Sequence, residues 1–582
     1  MKKTIAISIV TSAMLFGATV DNLTTDQVNK TLNSTVNSAT VTQGQTSITG
    51  SADVDNLTIT QKGDDGATGN LIENGVAING AGIEDLNVNQ GSTTVTNARV
   101  NNVTIDSDST INGGTIDGTG KVSQGATSVG GSGSVLENVD VKSTNTMTNL
   151  DIDGSANRPV LVTQGTLSVS GDANASDNSE ADNADITSVN EITTGIKIEN
   201  STVRQSYTAI DGDGTTASGL NINQVNTISG TSSITNKSTA LQGVTKIDTG
   251  ADVSGLTTNA TNSMKNLTSD NSTTVQNHIN IHSDSQVTDM TVNTGGTNHN
   301  TIDTVGTTNS TISQNTYNIT NGSSVTGLTA THDNIISNST FNDTHVGQDI
   351  VDINGSTLTS PTAISSTNKI NEIHANANSD IHQAVTVING STVSAPSLTS
   401  DNEIDGVDLD NTEITQSYTS IVGSATVTGL ALDNTNKVTD TDGLGNDMNN
   451  SHIIQAEFIL SNSSLTTLTQ DTENSITDAQ VVGSTIEQAK IAIGDSTVNN
   501  INMGKTNDIT NDITSTDIDT SFVSQNGLKI CNSTVNGLDV DQDNDITGST
   551  ISGGSSLTQG DINIGGGENC VLARAEHTHK SY

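Results

Sequence analysis

The chain has 582 residues, 31% of them apolar and 1% aromatic, with no Trp, three Pro and a formal net charge of −44 at pH 7. Four Tyr and four Phe cannot supply the bulky residues that several ordinary globular cores need. An excess of 64 acidic over 20 basic residues argues against nucleic acid and anionic membranes as partners. Low hydrophobicity with high net charge is also a signature of disorder. Here, however, Pro and Lys are scarce, while Val, Ile and Thr recur throughout. These β-branched residues suit a pleated, half-buried surface, and a repeat that stacks on itself can build a thin continuous core from small aliphatics.

The chain opens with Lys2 and Lys3, an apolar run from Ile5 to Phe16, and then small residues. That order is the layout of a secretory signal peptide, placed at residues 1–18 with cleavage expected after Ala18. The run is shorter than the ~20 residues that a membrane span requires. The mature protein is therefore expected to be secreted, extracellular or at the cell surface.

Beyond this leader the sequence repeats. A Gln recurs at Gln43, Gln90, Gln124, Gln164, Gln205, Gln242, Gln276, Gln314, Gln348, Gln383, Gln416, Gln455, Gln488, Gln525 and Gln559. The mean step is about 37 residues, within the range of tandem-repeat architectures. Apolar beats follow in phase. Ile421, Val427, Leu430 and Leu432 after Gln416 match Ile281, Val287, Met290 and Val292 after Gln276. The stretch between the first two beats varies in length, as in "VGSA", "NGST" and "TNGSS"; a turn tolerates such variation and a strand does not. The second half of each repeat carries apolar residues every five or six positions, which reads as short strands joined by turns. "QAEFILSNSS" has helical propensity but keeps the register of its fellows, so it is read as strand.

The expected fold is all-β, an elongated β-solenoid (β-helix) of about fifteen imperfect repeats of roughly 36 residues. Six short strands per repeat suggest two coils per repeat, which would give a rod on the order of 140 Å long at the ~4.8 Å strand spacing. A single larger coil would halve that length. Residues 19–40 are read as an N-terminal cap or first strands, 41–559 as the solenoid, and 560–582 as a C-terminal cap or tail.

At thirteen of the fifteen markers an aliphatic residue lies two positions before the Gln, as Ile414 does before Gln416. Residues two apart in a strand share a face, so the Gln points into the core. A buried amide left unpaired costs ~1–3 kcal/mol, so a recurring one must be satisfied, by turn backbone and by an axial neighbour. The Gln is architectural.

Chemistry is sparse. Acidic turns offer calcium candidates in Asp211, Asp213, Asp541, Asp543 and Asp545, but Ile546 stands where an EF-hand loop needs Gly. No other cofactor is expected. His278 and His282 are read as facing outward on different sides of a bend, and His577 and His579 as lying in the tail. No set of three or four ligands converges for zinc. Tyr207 and Tyr418 match each other across repeats rather than clustering. A polysaccharide-cleaving site needs carboxylates in a cleft with aromatic and basic groups, and none is legible, so the chain is read as non-enzymatic with no catalytic residues.

Cys531 and Cys570 are the only thiols, and export favours a disulfide. With two coils per repeat they would lie ~9–10 Å apart, beyond the Cα reach of a bridge. An internal bond would then need the last coil to leave the pattern, and a bond between chains is the alternative.

Asn/Thr/Ser/Gly-rich strands in tandem over the whole mature chain resemble secreted bacterial β-solenoid surface proteins of the adhesin and fibre-subunit type. The resemblance implies an extracellular structural or adhesive role. The leading reading is a structural protein that self-assembles into a fibre or surface layer through end-to-end homo-oligomers. An adhesin presenting the rod's side to a surface or glycan is the alternative, and a solenoid carbohydrate enzyme a second. An inward Gln predicts that Gln416→Leu is milder than Gln416→Ala in thermal unfolding, because only Ala adds a void to the lost hydrogen bonds; equal tolerance of both would place the side chain in solvent.

Overall fold

The computed structural model describes residues 19–565, with interruptions that include 62–69, 81–85, 171–179, 440–445 and 504–508. The leader at residues 1–18 and the tail at 566–582, with Cys570, His577 and His579, lie outside the described residues. Every element among the described residues is a β-strand, and every strand pairing between laps is parallel. Parallel strands joined without hairpins must be linked by crossovers, and here each crossover is the remainder of one lap. The molecule is a β-solenoid.

One lap consumes one whole repeat. Glu413–Val422 pairs in register with Asp380–Asn389 below and His452–Ser461 above, so Gln416 sits between Gln383 and Gln455. Two coils per repeat would instead have placed a half-repeat next door. The physical reason lies at the corners. Many are made by one residue in the left-handed backbone region inside a continuous run of strand, which bends the chain without closing it. Six short strands therefore trace one wide lap. The stack from Gln43 to Gln559 is on the order of 70 Å long at ~4.8 Å per lap. The segment "QAEFILSNSS" lies mainly in the strand His452–Ser461, as its register demanded.

Two sheets run the length of the rod, one of 19 strands carrying the Gln markers and one of 33 strands. The expected turns fall where the sequence varies, at Asn321–Gly322 and Gly423–Ser424, all with positive φ. A further column of corners precedes the Gln strand. Asn411 and Asn450 adopt φ of 52° and 49°, a conformation that Asn tolerates better than most residues. Each is followed by Thr or Ser whose backbone amide donates to the next lap's hydroxyl, as Ser451 does to Ser484 Oγ at 2.9 Å. Asn-Ser pairs thus stitch this corner axially.

The residue after each Gln is a corner too. From Gln90 onward it always has positive φ, whether it is Gly91, Ser206, Asn315, Asp349, Ala456 or Asn526. This bend divides the interior in two. Residues before the Gln, such as Ile414 and Ile453, pack with Ile404, Val438 and Ile476 in one core. Residues after it, such as Ile421 and Leu460, pack with Val427, Leu430 and Leu465 in another. Fewer bulky side chains are needed to fill two narrow cores than one wide one, which suits a chain poor in aromatics.

Gly125 shows how tight the bend is. A Cβ there would stand 2.7 Å from Ser143 Cβ and 2.8 Å from Asn145 Nδ2, at φ of 59°. Gly125→Ala is expected to lower stability by roughly 1–3 kcal/mol from backbone strain and overpacking, measured by urea unfolding; an unchanged midpoint would show that this corner has slack.

Candidate functional site

The Gln side chains form one uninterrupted ladder. Each donates through Nε2 to Oε1 of the Gln in the preceding lap, from Gln90 to Gln43 through Gln559 to Gln525. The fourteen bonds measure 2.6–2.9 Å. In most laps the second N–H of the amide reaches sideways to backbone carbonyls. Gln416 Nε2 lies 3.3 Å from Asn402 O and Lys437 O, and Gln383 Nε2 lies 3.1 Å from Asn368 O.

A second ladder faces the first, and sequence reading missed it. Asn145, Asn190, Asn226, Asn262 and their successors up to Asn544 stack on the opposite wall. Each donates through Nδ2 to Oδ1 of the following lap, in eleven bonds of 2.7–3.0 Å. The signal was present, since each of these Asn lies two residues before an apolar core residue, as in "NSM", "NKI" and "NEI". It is the mirror of the apolar-x-Gln pattern. The abundance of Asn in this chain hid it.

The two ladders run with opposite polarity. Gln amides donate toward the N-terminal end of the rod, and Asn amides donate toward the C-terminal end. Hydrogen-bonded amides in a row polarise one another, and two rows of opposed dipoles side by side attract. Corner side chains join the partition: Ser206 Oγ accepts from Asn190 Nδ2 at 2.7 Å, and Ser417 Oγ accepts from Asn402 Nδ2 at 2.9 Å. A polar septum thus separates the two apolar cores along the rod.

One lap varies the theme. Tyr317 Oη lies 2.6 Å from His332 Nε2, and His332 Nδ1 lies 3.1 Å from Asp349 Oδ1. All three side chains are buried. Asp349 adjoins a void of only about 20 Å³, room for about one water. Asp349 is the corner residue after Gln348, so these buried contacts adjoin the septum.

The outer face of the Gln sheet is a different environment. The bend after each Gln draws the backbone inward, so the residues just before it and two after it lie in a cleft along the outside of the rod. Near Gln242 and Gln276 the cleft widens to a cavity of about 500 Å³. Leu241, Val244 and Val275 line it with Tyr207, Lys246 and His278. Burial pushes the His278 imidazole down to about 4, so it is neutral at pH 7. On the neighbouring strand end His282 Nδ1 lies 2.7 Å from Asp248 Oδ1. Farther along, Ile350, Val385, Tyr418 and Ile459 close the cleft with a buried apolar cluster. Beyond them Lys490 lies 3.2 Å from both Glu457 and Glu487. The His452 imidazole, its Nε2 3.5 Å away, together with Lys490 and against burial, holds the Glu487 carboxyl down at about 2.

The calcium candidates do not come together. Asp211 and Asp213 are exposed in a turn, and Asp541, Asp543 and Asp545 alternate along the exposed outer side of one segment. Among the described residues no group of three or more His, Cys, Asp or Glu could hold a metal ion. Tyr207 and Tyr418 occupy matching outward positions, far apart along the rod. Cys531 is disulfide-bonded; Cys570, the other cysteine of the sequence, lies outside the described residues. With one lap per repeat the axial step is ~4.8 Å rather than ~9–10 Å, within the Cα range of a disulfide.

No protein-family model matches the chain, and no curated protein matches it in sequence.

The Asn ladder is interrupted on the N-terminal side of Asn145 for a visible reason. Ser109 pairs with Asn145 in the lap above, and both Ser109 Oγ and Asn145 Oδ1 are buried without a hydrogen-bond partner. Gly91 supplies the same side-chain-free corner over Ser109 that Gly125 supplies over Asn145. Ser109→Asn should therefore extend the ladder by one bond and raise stability by about 1 kcal/mol, read as a higher urea midpoint; a lower midpoint would show that an Asn does not fit there.

Proposed function

We propose that the chain is a non-enzymatic structural protein, exported and assembled head to tail into an extracellular fibre or surface layer. The observation that carries this reading is the state of the last described lap. Ile562 and Ile564, in the core register of the strand Ser556–Gly565, are 67% and 70% exposed, and Leu557 and Ile551 are exposed with them. Their counterparts one lap earlier, such as Val523, Leu528 and Ile530, are buried. An edge of parallel strand whose apolar residues no described residue covers is a template for another chain.

The ladders give such a contact a direction. Gln559 donates to Gln525 and offers Oε1 onward, while Asn544 accepts from Asn511 and offers Nδ2 onward. A following copy whose first Gln donates to Gln559 would continue the Gln ladder in the sense it has within the chain. Two C-terminal ends brought together would oppose the polarity of both ladders. Head-to-tail growth is the arrangement the amide chemistry favours. The alternative, an adhesin acting through the side of the rod, is supported by the outer cleft and is compatible with growth at the ends.

The net charge of −44 opposes assembly at low salt through long-range repulsion, which added salt screens within a Debye length of about 10 Å at 0.1 M. Purified residues 19–582 are expected to form filaments one rod wide in electron micrographs, faster as salt rises. Ile562→Lys with Ile564→Lys should abolish elongation while leaving the circular dichroism spectrum β-rich. Rods that stay single at high concentration and physiological salt would overturn the proposal.

A further inference from the structure

We infer that the cavity on the outer face between Tyr207 and Thr311 is a binding site for a short oligosaccharide bearing a carboxylated sugar, and that Arg204 is the residue that reads the carboxylate. The site does not depend on whether rods join end to end.

The chain has only four Arg, and one of them stands in the lap where the cavity begins. The Arg204 guanidinium lies 4.5 Å from the centre of the Tyr207 ring, a cation–π pair that holds a planar fork in place. Its Nε is buried with no hydrogen-bond partner. A guanidinium donor left unspent in a sheltered place is costly, and a carboxylate is the group whose geometry matches it. In a chain with net charge −44 such a cation is not a consequence of composition. The cavity's other cation is already balanced: Lys246 Nζ lies 2.8 Å from Asp248, which His282 also contacts. His278 is neutral. The local balance thus favours one negative charge rather than a polyanion, which the field of the whole rod would repel.

The rest of the lining suits a sugar. Thr239, Thr273 and Thr311 stand directly above one another in successive laps, a rail of hydroxyls at the ~4.8 Å strand spacing, close to the length of one pyranose unit. Asn280 and Lys246 face each other across one lap step and add donors. Leu241, Val244 and Val275 form an apolar floor for the C–H face of a ring. The volume, about 500 Å³, falls within the usual range for small-ligand sites. A peptide is a poorer fit, because every strand beneath the cavity is already paired on both sides and offers no edge for an added strand.

The test uses residues 19–582 at physiological ionic strength, titrated with 3′-sialyllactose, a trisaccharide with a single carboxylate, and, in parallel, with the neutral trisaccharide maltotriose, by calorimetry and by NMR of the sugar. Saturable binding of 3′-sialyllactose with a Kd in the millimolar range or tighter is expected, with maltotriose weaker by at least roughly ten-fold. Arg204→Gln should remove that preference, and Thr273→Trp, which fills the cavity, should abolish binding of both sugars; each variant is checked for a wild-type circular dichroism spectrum. Absence of saturable binding to the wild-type protein, equal binding of the two sugars, or an Arg204→Gln variant that retains the preference would each overturn the assignment.

Discussion

An amide carried into an apolar interior must find partners for both its donors and its acceptor, and this requirement organises the whole molecule. Each Gln in the ladder gives one N–H to the lap below and accepts from the lap above, as Gln416 does with Gln383 and Gln455. In most laps the second N–H also ties to backbone carbonyls across the interior. No lap can slip along its neighbour by even one residue without turning the amide out of line and leaving partners unpaired, at ~1–3 kcal/mol for each group. The hydrophobic contacts, made by small aliphatics that fit almost any neighbour, could not enforce such a register alone.

The same requirement explains the cross-section. A chain with so few aromatic residues cannot fill a wide lap, and a void would cost more than a narrow waist. The bend after each Gln pinches the lap, and the Gln and Asn ladders meet across the pinch. Two thin cores of Val, Ile and Leu result. On the outside the pinch becomes the cleft, so the groove that holds Tyr207 and His278 is the outer imprint of the septum. Architecture and candidate binding surface therefore have one cause.

Polarity is the ladders' second consequence. Hydrogen-bonded amides donate in one sense only, so the two ends of the rod differ chemically even though its laps are alike. The last described lap presents an acceptor on Gln559 and a donor on Asn544 beside exposed Ile562 and Ile564. A symmetric pairing of such ends would set like against like, and a head-to-tail one would not.

The sequence by itself determined that the chain is a tandem β-structure, because Val, Ile and Thr at two-residue spacing around a recurring Gln can be satisfied only by strands stacked in phase. It also determined that the Gln faces inward, since Ile414 and Gln416 must share a face. Only the tertiary structure decided how far the chain travels before it meets itself. Corners such as Ser417 and Asn450 bend a strand without ending it, and local periodicity counts beats rather than the angle turned at each one; hence one lap per repeat in place of two. The Asn ladder was equally hidden, because Asn402 looks like any other polar residue until Asn368 and Asn436 are placed above and below it. The cleft, too, belongs to the tertiary structure: Arg204, Leu241 and His278 are far apart in the chain, and only winding brings them to one surface.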